Sequence, residues 1–256
     1  MTPSIARRSH RKSNPRTLSI DIGGTAIKGS VLDTKGRMVA ERISIATPYP
    51  LLPKNLIRIV AHLANSLTPF DRISIGFPGV VRNGCVMTAP HFGTKPWQAF
   101  PLEKAVAAFL KKPVRILNDA EVHGFGVISG RGLEVVLTLG TGIGSAVFTD
   151  GSVGPHLELA HHPIYENKTY NDYIGDKALR AIGKPRWDRR VLKTITVVRT
   201  LLNYDTLYLG GGNAAKLSFK IPAGVKICSN DAGIVGGIQL WSTGHIDSHT
   251  SKLLKV

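Results

Sequence analysis

The order of apolar runs and glycine-rich turns repeats once along the chain. An apolar run at residues 18–20 is followed by the turn Asp21-Ile-Gly-Gly-Thr25 and a second apolar run at residues 27–32. The same order returns at residues 135–148, around the turn Gly140-Thr-Gly-Ile-Gly-Ser145. An apolar run on each side of a glycine turn predicts a β-hairpin. Its recurrence predicts an internally duplicated architecture.

Outside the hairpins, the apolar spacing alternates between strand and helix patterns. Helical spacing occurs around residues 56–63, 102–109 and 187–202, and a last helix is predicted from a cap at Asp231. Further strands are predicted at residues 38–45, 73–77, 114–117 and 206–209. This mixture predicts an α/β fold.

Length and composition fit a globular protein with two lobes around one cleft. The chain has 256 residues, of which 43% are hydrophobic. No apolar stretch reaches the roughly 18 to 20 residues of a membrane helix, and no apolar segment follows the basic N-terminal residues, so no secretory signal is predicted. Cys85 and Cys228 are too few for a disulfide scaffold or a cysteine zinc site. We therefore expect a cytoplasmic protein.

Charge narrows the class of partner. Lys and Arg number 33 against 17 Asp and Glu, which gives a formal net charge of +16. Such an excess favours nucleic acid, an anionic membrane or a polymeric phosphate. Residues 1–16 combine basic residues with Ser and Pro and predict a disordered tail, with an organelle transit peptide as the alternative. Residues 243–256 lack apolar periodicity and predict a frayed tail.

Both glycine turns have the composition of a phosphate-binding loop. Glycine lets the backbone approach an anion and turn its N–H groups inward, and Thr25 and Thr141 add hydroxyl donors. Asp21 ends the strand before the first loop, where a carboxylate can hold Mg²⁺ through water. For either loop alone, an ordinary tight turn is the alternative. The spacing of Gly140, Gly142 and Gly144 is not a dinucleotide fingerprint, because a strand pattern follows it.

Six motifs, in one order, resemble those of the ROK family of sugar kinases in the actin/hexokinase-like superfamily. They are Asp21-Ile-Gly-Gly-Thr-Ala-Ile-Lys28, Phe77-Pro-Gly-Val-Val81, Asn118-Asp-Ala120, Thr138-Leu-Gly-Thr-Gly-Ile-Gly-Ser145, Gly210-Gly-Gly212 and Asn230-Asp-Ala-Gly-Ile-Val-Gly236. The fourth is similar above all to the bacterial polyphosphate glucokinases and polyphosphate/ATP glucomannokinases. The resemblance extends over about residues 18–241.

The resemblance implies a two-lobed, ribonuclease H-like α/β fold whose duplicated hairpins carry the phosphate loops. It implies a small lobe at residues 17–120, joined by the C-terminal helix at 231–242, and a large lobe at 121–230. The implied reaction moves a terminal phosphoryl group from polyphosphate, ATP or both to the 6-hydroxyl of glucose or a related hexose, with Mg²⁺. We expect a homodimer, and neither a membrane nor a nucleic-acid partner.

The resemblance also assigns site residues. Asp119 is the expected general base, which accepts the proton of the sugar hydroxyl. The expected substrate-binding residues are Asn118, Glu158, His161, His91, Pro78 and Gly79. The expected phosphate- or nucleotide-binding residues are Asp21, Gly23, Gly24, Thr25, Lys28, Thr141, Gly142, Gly144, Gly211 and Gly212, with Asp21 also holding Mg²⁺.

Structural alternatives exist for several of these residues. Asp119 could cap a helix, Glu158 and His161 could be surface residues, and His162 could contact the sugar in place of His161. Ala160 replaces the usual glycine of the Glu-x-Gly-His motif.

Other departures from the family pattern bear on substrate and metal. By this resemblance, His91 stands where polyphosphate glucokinases have a sugar-contacting Asn, and Trp97 lies one residue further along the chain than their Trp. An acceptor other than glucose is therefore an alternative. The segment after His162 is shorter than in relatives. The cysteine-rich zinc motif of most ROK proteins is absent, so no zinc is predicted.

Three other functions compete with a glucose kinase. A sugar-responsive DNA-binding regulator would suit the charge, but only 17 residues precede Leu18, against the three-helix unit of such readers. A non-catalytic sugar or polyphosphate binder would not require Asp119. A kinase for another sugar or polyol is kept open by His91.

Overall fold

A computed structural model describes residues 14–242 of the protein. The predicted frayed tail at 243–256, and all but the last three residues of the predicted basic tail at 1–16, lie outside the described residues. None of the helices in the described part combines the length and apolarity that crossing a membrane requires.

Short strands and helices alternate along the described chain. The strands are β1 (Thr17–Ile22), β2 (Ala26–Leu32), β3 (Ile43–Ala46), β4 (Arg72–Phe77), β5 (Val81–Arg82), β6 (Cys85–Val86), β7 (Val114–Asn118), β8 (Leu133–Leu139), β9 (Ile143–Thr149), β10 (Ser152–Val153), β11 (Pro163–Tyr165), β12 (Lys168–Thr169), β13 (Thr206–Gly210) and β14 (Val225–Ile227). The helices are α1 (Pro53–Ser66), α2 (Leu102–Leu110), α3 (Asp119–Phe125), α4 (Tyr170–Ile174), α5 (Asp176–Ile182), α6 (Lys184–Leu202) and α7 (Ala232–Val235).

Two five-stranded sheets share one topology. Their orders are β3-β2-β1-β4-β7 and β10-β9-β8-β13-β14. In each sheet a central strand pairs antiparallel with its hairpin partner and parallel with a later strand: β1 with β2 and β4, and β8 with β9 and β13. The duplication predicted from the sequence is therefore confirmed.

Alternating side chains give each sheet two buried faces. In β1, Leu18, Ile20 and Ile22 join the core formed with α1 and α2. The opposite face is lined by small polar residues, and the hydroxyl of Ser19 donates to the Ile234 carbonyl at 2.6 Å. The chain after α7 can therefore lie directly on this face of the sheet.

Helix α3 lies between the two sheets. Its Val122 and Phe125 pack against Val136 of β8 and Phe148 of β9, on the face of the second sheet opposite α6. On its other side, α3 packs so closely against β4 that a Cβ added at Gly76 would contact the helix. The first residues of α3 are thereby placed in the gap between the hairpin tips.

Two predicted elements differ in the structure. The last helix is a single turn, α7, continued by a 3₁₀ turn over Gly236–Trp241. This segment packs closely on β1, because a Cβ at Gly237 would lie 2.1 Å from the Ser19 hydroxyl. The strand predicted at residues 38–45 is interrupted: Met38 forms an isolated bridge with Leu32, and the regular strand β3 begins only at Ile43. Between them, the Ala40 carbonyl accepts from the Ser30 hydroxyl at 2.8 Å. The lobe boundaries predicted above stay a proposal.

Candidate active site

One cleft gathers the predicted site residues. It has a volume of about 430 Å³ and lies where the two hairpin tips meet the start of α3. Every residue assigned above to catalysis, acceptor binding or phosphate binding lines it: Asp21, Gly23, Gly24, Thr25, Lys28, Pro78, Gly79, His91, Asn118, Asp119, Thr141, Gly142, Gly144, Glu158, His161, Gly211 and Gly212.

The glycine loops meet at one side of this cleft. The hydroxyl oxygens of Thr25 and Thr141, one from each hairpin tip, are 2.9 Å apart. The third loop, after β13, packs against the second because Gly211 has a φ of +81° and a Cβ there would lie 2.5 Å from the Leu139 carbonyl oxygen. This arrangement gives a phosphate chain hydroxyl donors from two loops and glycine backbone from three.

Asp119 is the first residue of α3, where β7 ends at Asn118. Asn118, and not Asp119, is the helix cap: its Oδ1 accepts from the Ala120 and Glu121 N–H groups at 2.9 and 3.3 Å. The Oδ1 atom of Asp119 also accepts from the Ala120 N–H, at 2.9 Å. Burial, and after it the negative charge of Asp21, raises the pKa of Asp119 to about 8.

The side-chain amide of Asn118 forms hydrogen bonds within the protein through both its oxygen and its nitrogen. Besides capping α3, its Nδ2 donates to the Gly79 carbonyl at 3.2 Å, and the residue is only 5% exposed. The predicted contact of Asn118 with a sugar hydroxyl therefore depends on its second amide hydrogen. The pairing with Gly79 explains why the Pro78-Gly79 turn lies against the catalytic motif.

Asp21 is the residue for which the sequence predicts a cation-binding role, and it lies in the cleft beside the first glycine loop. Asp21 of β1 lies opposite Lys28 of β2 in the hairpin. Burial raises the pKa of Asp21, although the positive charges of Lys28 and Arg42 lower it in part. No cluster of three or more His, Cys, Asp or Glu side chains in the described part is arranged to hold a metal ion. One buried carboxylate beside phosphate loops fits Mg²⁺, which keeps several waters and binds one or two carboxylates together with substrate phosphates.

We call the part of the cleft lined by the predicted acceptor ligands Glu158, His161 and His91 the acceptor side. It carries one carboxylate and several imidazoles. Glu158 and His161 lie at either end of a 3₁₀ turn, Leu159–His161. His91 reaches this side from the loop after β6, and its ring would be 2.9 Å from a Cβ at Gly142. Burial, then the charge of His161, lowers the pKa of His91.

The structure distinguishes His161 from His162. His161 lines the cleft, whereas the Nδ1 of His162 lies 2.8 Å from the Pro163 carbonyl oxygen and its ring is 6.5 Å from that of Tyr170. His162 is outside the cleft lining.

Sequence reasoning missed other polar residues in the cleft. His156 bridges Glu121 and Glu158 by hydrogen bonds of 2.8 and 2.9 Å. Asn171 accepts from the Ile143 N–H at 2.8 Å and so supports the second phosphate loop. The spacing Asn118-x-x-Glu121 is a readable capping-box signal, but nothing in the sequence indicates that Glu121 meets His156.

We call the part of the cleft lined by the glycine loops the donor side. Three further residues that were not predicted line it: Asp176, Arg180 and Asn213. The Asn213 amide donates to an Asp176 carboxylate oxygen at 3.2 Å, and Asp176 pairs with Arg180 one helical turn later. The start of α5 is thereby fixed beside the second and third glycine loops.

Comparisons with known proteins show the family to which the chain belongs. The ROK family signature matches residues 17–170. A polyphosphate glucokinase of Mycobacterium tuberculosis (strain ATCC 25618 / H37Rv) is 30% identical over 233 residues, 85% of this chain and 88% of that protein. One from Mycobacterium leprae (strain TN) is 30% identical over 244 residues, 88% of this chain and 74% of that protein.

Solved structures share the fold. The inorganic polyphosphate/ATP-glucomannokinase of Arthrobacter sp. strain KM superposes with a TM-score of 0.79 and 29% identity, covering 88% of this chain and 97% of that one. Six motifs in order, the duplicated sheets and these matches agree. The chain belongs to the ROK family and is a sugar kinase of the hexokinase type, with the actin/hexokinase-like fold.

Proposed function

We propose that the protein transfers the terminal phosphoryl group of inorganic polyphosphate or ATP to the 6-hydroxyl of glucose or a closely related hexose. The observation that carries the proposal is the position of Asp119, in one cleft with the paired Thr25–Thr141 loops and the Glu158–His161 turn. The similarity to polyphosphate glucokinases and to a polyphosphate/ATP-glucomannokinase supports the choice of donor and acceptor.

In this reaction Asp119 acts as the general base. The sugar oxygen forms a bond to the terminal phosphorus, the bond from that phosphorus to the bridging oxygen breaks, and the hydroxyl proton moves to the Asp119 carboxylate. A pKa of about 8 makes this carboxylate a stronger base than an exposed aspartate. The shortened phosphate chain leaves with the electron pair of the broken bond.

The remaining residues bind and orient. Glu158 and His161 hold neighbouring sugar hydroxyls, and Asn118 and Gly79 support the start of helix α3, which carries the base. Thr25, Thr141 and the glycine loops hold the donor phosphates. Mg²⁺, bound through water by Asp21, would supply charge neutralisation on the donor. Closure of the cleft excludes water, which would otherwise compete with the sugar as acceptor.

A coupled assay tests the proposal. Glucose, mannose, other hexoses and polyols are each offered with ATP and with polyphosphate, and the Asp119→Asn variant is run in parallel. We expect transfer to a hexose that depends on Asp119. If a polyol is the best acceptor, the alternative acceptor class is supported. If sugars bind without transfer from either donor, the protein is a non-catalytic ROK regulator or binder.

Three predictions rest on the sequence and its family resemblance, and they stay predictions: the absence of zinc, a homodimer and a cytoplasmic location. Metal analysis of the purified protein, its mass in solution and its distribution in fractionated cells test them separately.

A further inference from the structure

The Glu158 carboxylate is held by a hydrogen-bonded chain of three side chains. His156 Nδ1 lies 2.8 Å from Glu121 Oε1, and His156 Nε2 lies 2.9 Å from Glu158 Oε1. Glu121 and His156 are well shielded from solvent, with exposed fractions of 10% and 19%, and Glu158 is 34% exposed. Of the three, His156 and Glu158 line the cleft.

Hydrogen-bond chemistry fixes the state of this imidazole. An ionised carboxylate only accepts, and an imidazole donates from both nitrogens only when it is protonated. Burial disfavours the charged form of His156, but the hydrogen bonds that it donates to Glu121 and Glu158 outweigh this effect and raise its pKa to about 9. The bond to His156 in turn lowers the pKa of Glu158. The bridge is therefore carboxylate, imidazolium, carboxylate.

The other end of the bridge reaches the catalytic motif. The second oxygen of Glu121 accepts from the backbone N–H of Asn118 at 3.3 Å, and Asn118 caps the helix that begins at Asp119. Glu121 and Asn118 belong to α3 and β7, whereas Glu158 follows β10 of the second sheet. The bridge therefore connects the segment that carries the base with the segment that carries the acceptor ligand.

We propose that His156 is a positioning residue that holds the Glu158 carboxylate at a fixed position relative to Asp119 in the cleft. This inference rests on the acceptor role proposed for Glu158. Both ring nitrogens of His156 are occupied by carboxylates, so the ring has no N–H left for a sugar. Glu158 keeps its second oxygen for the acceptor hydroxyls, in a position set by the bridge.

Loss of the imidazolium has a defined physical consequence. Without it, the carboxylates of Glu121 and Glu158 face one another across a poorly solvated gap, and their repulsion turns Glu158 away. Small displacements of a substrate ligand reduce reaction rates by as much as about 100-fold. The donor loops, on the other side of the cleft, are unaffected.

The test compares His156→Gln with Glu121→Gln and the double variant in the full-length protein, with His62→Gln, an exposed histidine on α1, as control. We expect His156→Gln to raise the acceptor KM about 10- to 100-fold while the donor KM stays within about twofold. The double variant removes one of the two opposing carboxylates, so it should recover a large part of the loss. An acceptor KM like that of wild type, or additive effects in the double variant, would overturn the proposal.

A second measurement does not depend on catalysis or on the variant folding. Nitrogen-15 NMR of the wild-type imidazoles reports how many nitrogens of His156 carry a proton. The titratable groups facing this ring are Glu121 from α3 and Glu158 from its own segment. Asp119 lies near both carboxylates, and His91 and His161 lie beyond Glu158. We expect both nitrogens protonated at pH 8, and a single neutral tautomer there would overturn the bridge. Wild type that phosphorylates no sugar would instead refute the proposed function.

Discussion

The hydroxyl oxygens of Thr25 and Thr141 lie 2.9 Å apart although 116 residues separate them in the chain. Each belongs to the tip of one hairpin, and the two hairpins occupy equivalent places in sheets of the same topology. The duplication therefore places two similar loops face to face, and a phosphate chain between them would contact both.

This contact predicts the effect of removing one hydroxyl. Thr141→Val keeps the shape of the side chain and loses a hydrogen bond to a charged phosphate, worth about 1.5 to 3 kcal/mol. We expect kcat/KM for the donor to fall about 10- to 100-fold, with sugar binding unchanged. Thr196→Val on α6, whose exposed side-chain hydroxyl donates to the Leu192 carbonyl at 3.3 Å, is the control. Equal donor kinetics in the two variants would contradict the assignment of the loop.

Asp119→Asn should abolish phosphoryl transfer and leave sugar binding intact. The amide has nearly the same shape but cannot accept the proton, and general-base catalysis contributes roughly 10²- to 10⁴-fold. Single-turnover rates measure the loss, and calorimetry measures the sugar affinity. A variant that keeps more than half of wild-type turnover would show that another group takes the proton.

The raised pKa of Asp119 also predicts how stability depends on pH. Burial raises the pKa of this carboxyl to about 8 in the folded protein, against an ordinary value of 3.8. Between these values the unfolded chain binds fewer protons, so this group makes the free energy of unfolding decrease as the pH rises, until the pH exceeds 8. Asp119→Asn should flatten that decrease. Parallel melting-temperature profiles from pH 5 to 8 for the two proteins would contradict it.

His91 should influence the choice of acceptor. Its ring lies between the acceptor side and Gly142 of the second phosphate loop, so it is placed to contact a sugar hydroxyl near the transferred group. His91→Asn introduces the residue that the family resemblance predicts at this position, and we expect it to shift the glucose-to-mannose ratio of kcat/KM. The ratio is measured with one donor at saturation. An unchanged ratio would mean that this loop does not contact the sugar.

Local patterns predicted most of the fold, whereas the candidate site residues came from the family resemblance and lie in one cleft. The two hairpins, the helical face of α6 and the placement of Asp119 after a strand each follow from residues close in sequence. The bridge from Glu121 to His156 joins residues 35 apart and depends on how α3 lies between the sheets. The 3₁₀ turn at the end of the described chain depends in the same way on distant Ser19. Such contacts come from packing, for which a single sequence provides no local signal.

The last prediction concerns the basic charge and the polyphosphate donor. Arg186, Arg189 and Lys193 are exposed along the solvent face of α6, and no ion pair joins them to an acidic group in the described part of the chain. Helix α6 begins two residues after α5, whose Arg180 lines the donor side of the cleft. A long polyphosphate leaving the cleft would meet this face, whereas ATP would be enclosed by the loops.

Polyphosphate-dependent kcat/KM should therefore fall steeply as salt rises, because neutralising several phosphates releases several counterions. The ATP-dependent value should fall far less. Arg186→Glu with Arg189→Glu should reduce both the polyphosphate-dependent kcat/KM and its salt slope, while the ATP reaction is preserved. Lys54→Glu with Arg58→Glu, two exposed residues on α1, changes the net charge equally and serves as the control. If both double variants behave alike, the overall charge and not the α6 face is responsible. If salt curves for the two donors are parallel in wild type, the basic excess serves another polyanion, and nucleic-acid binding would have to be measured.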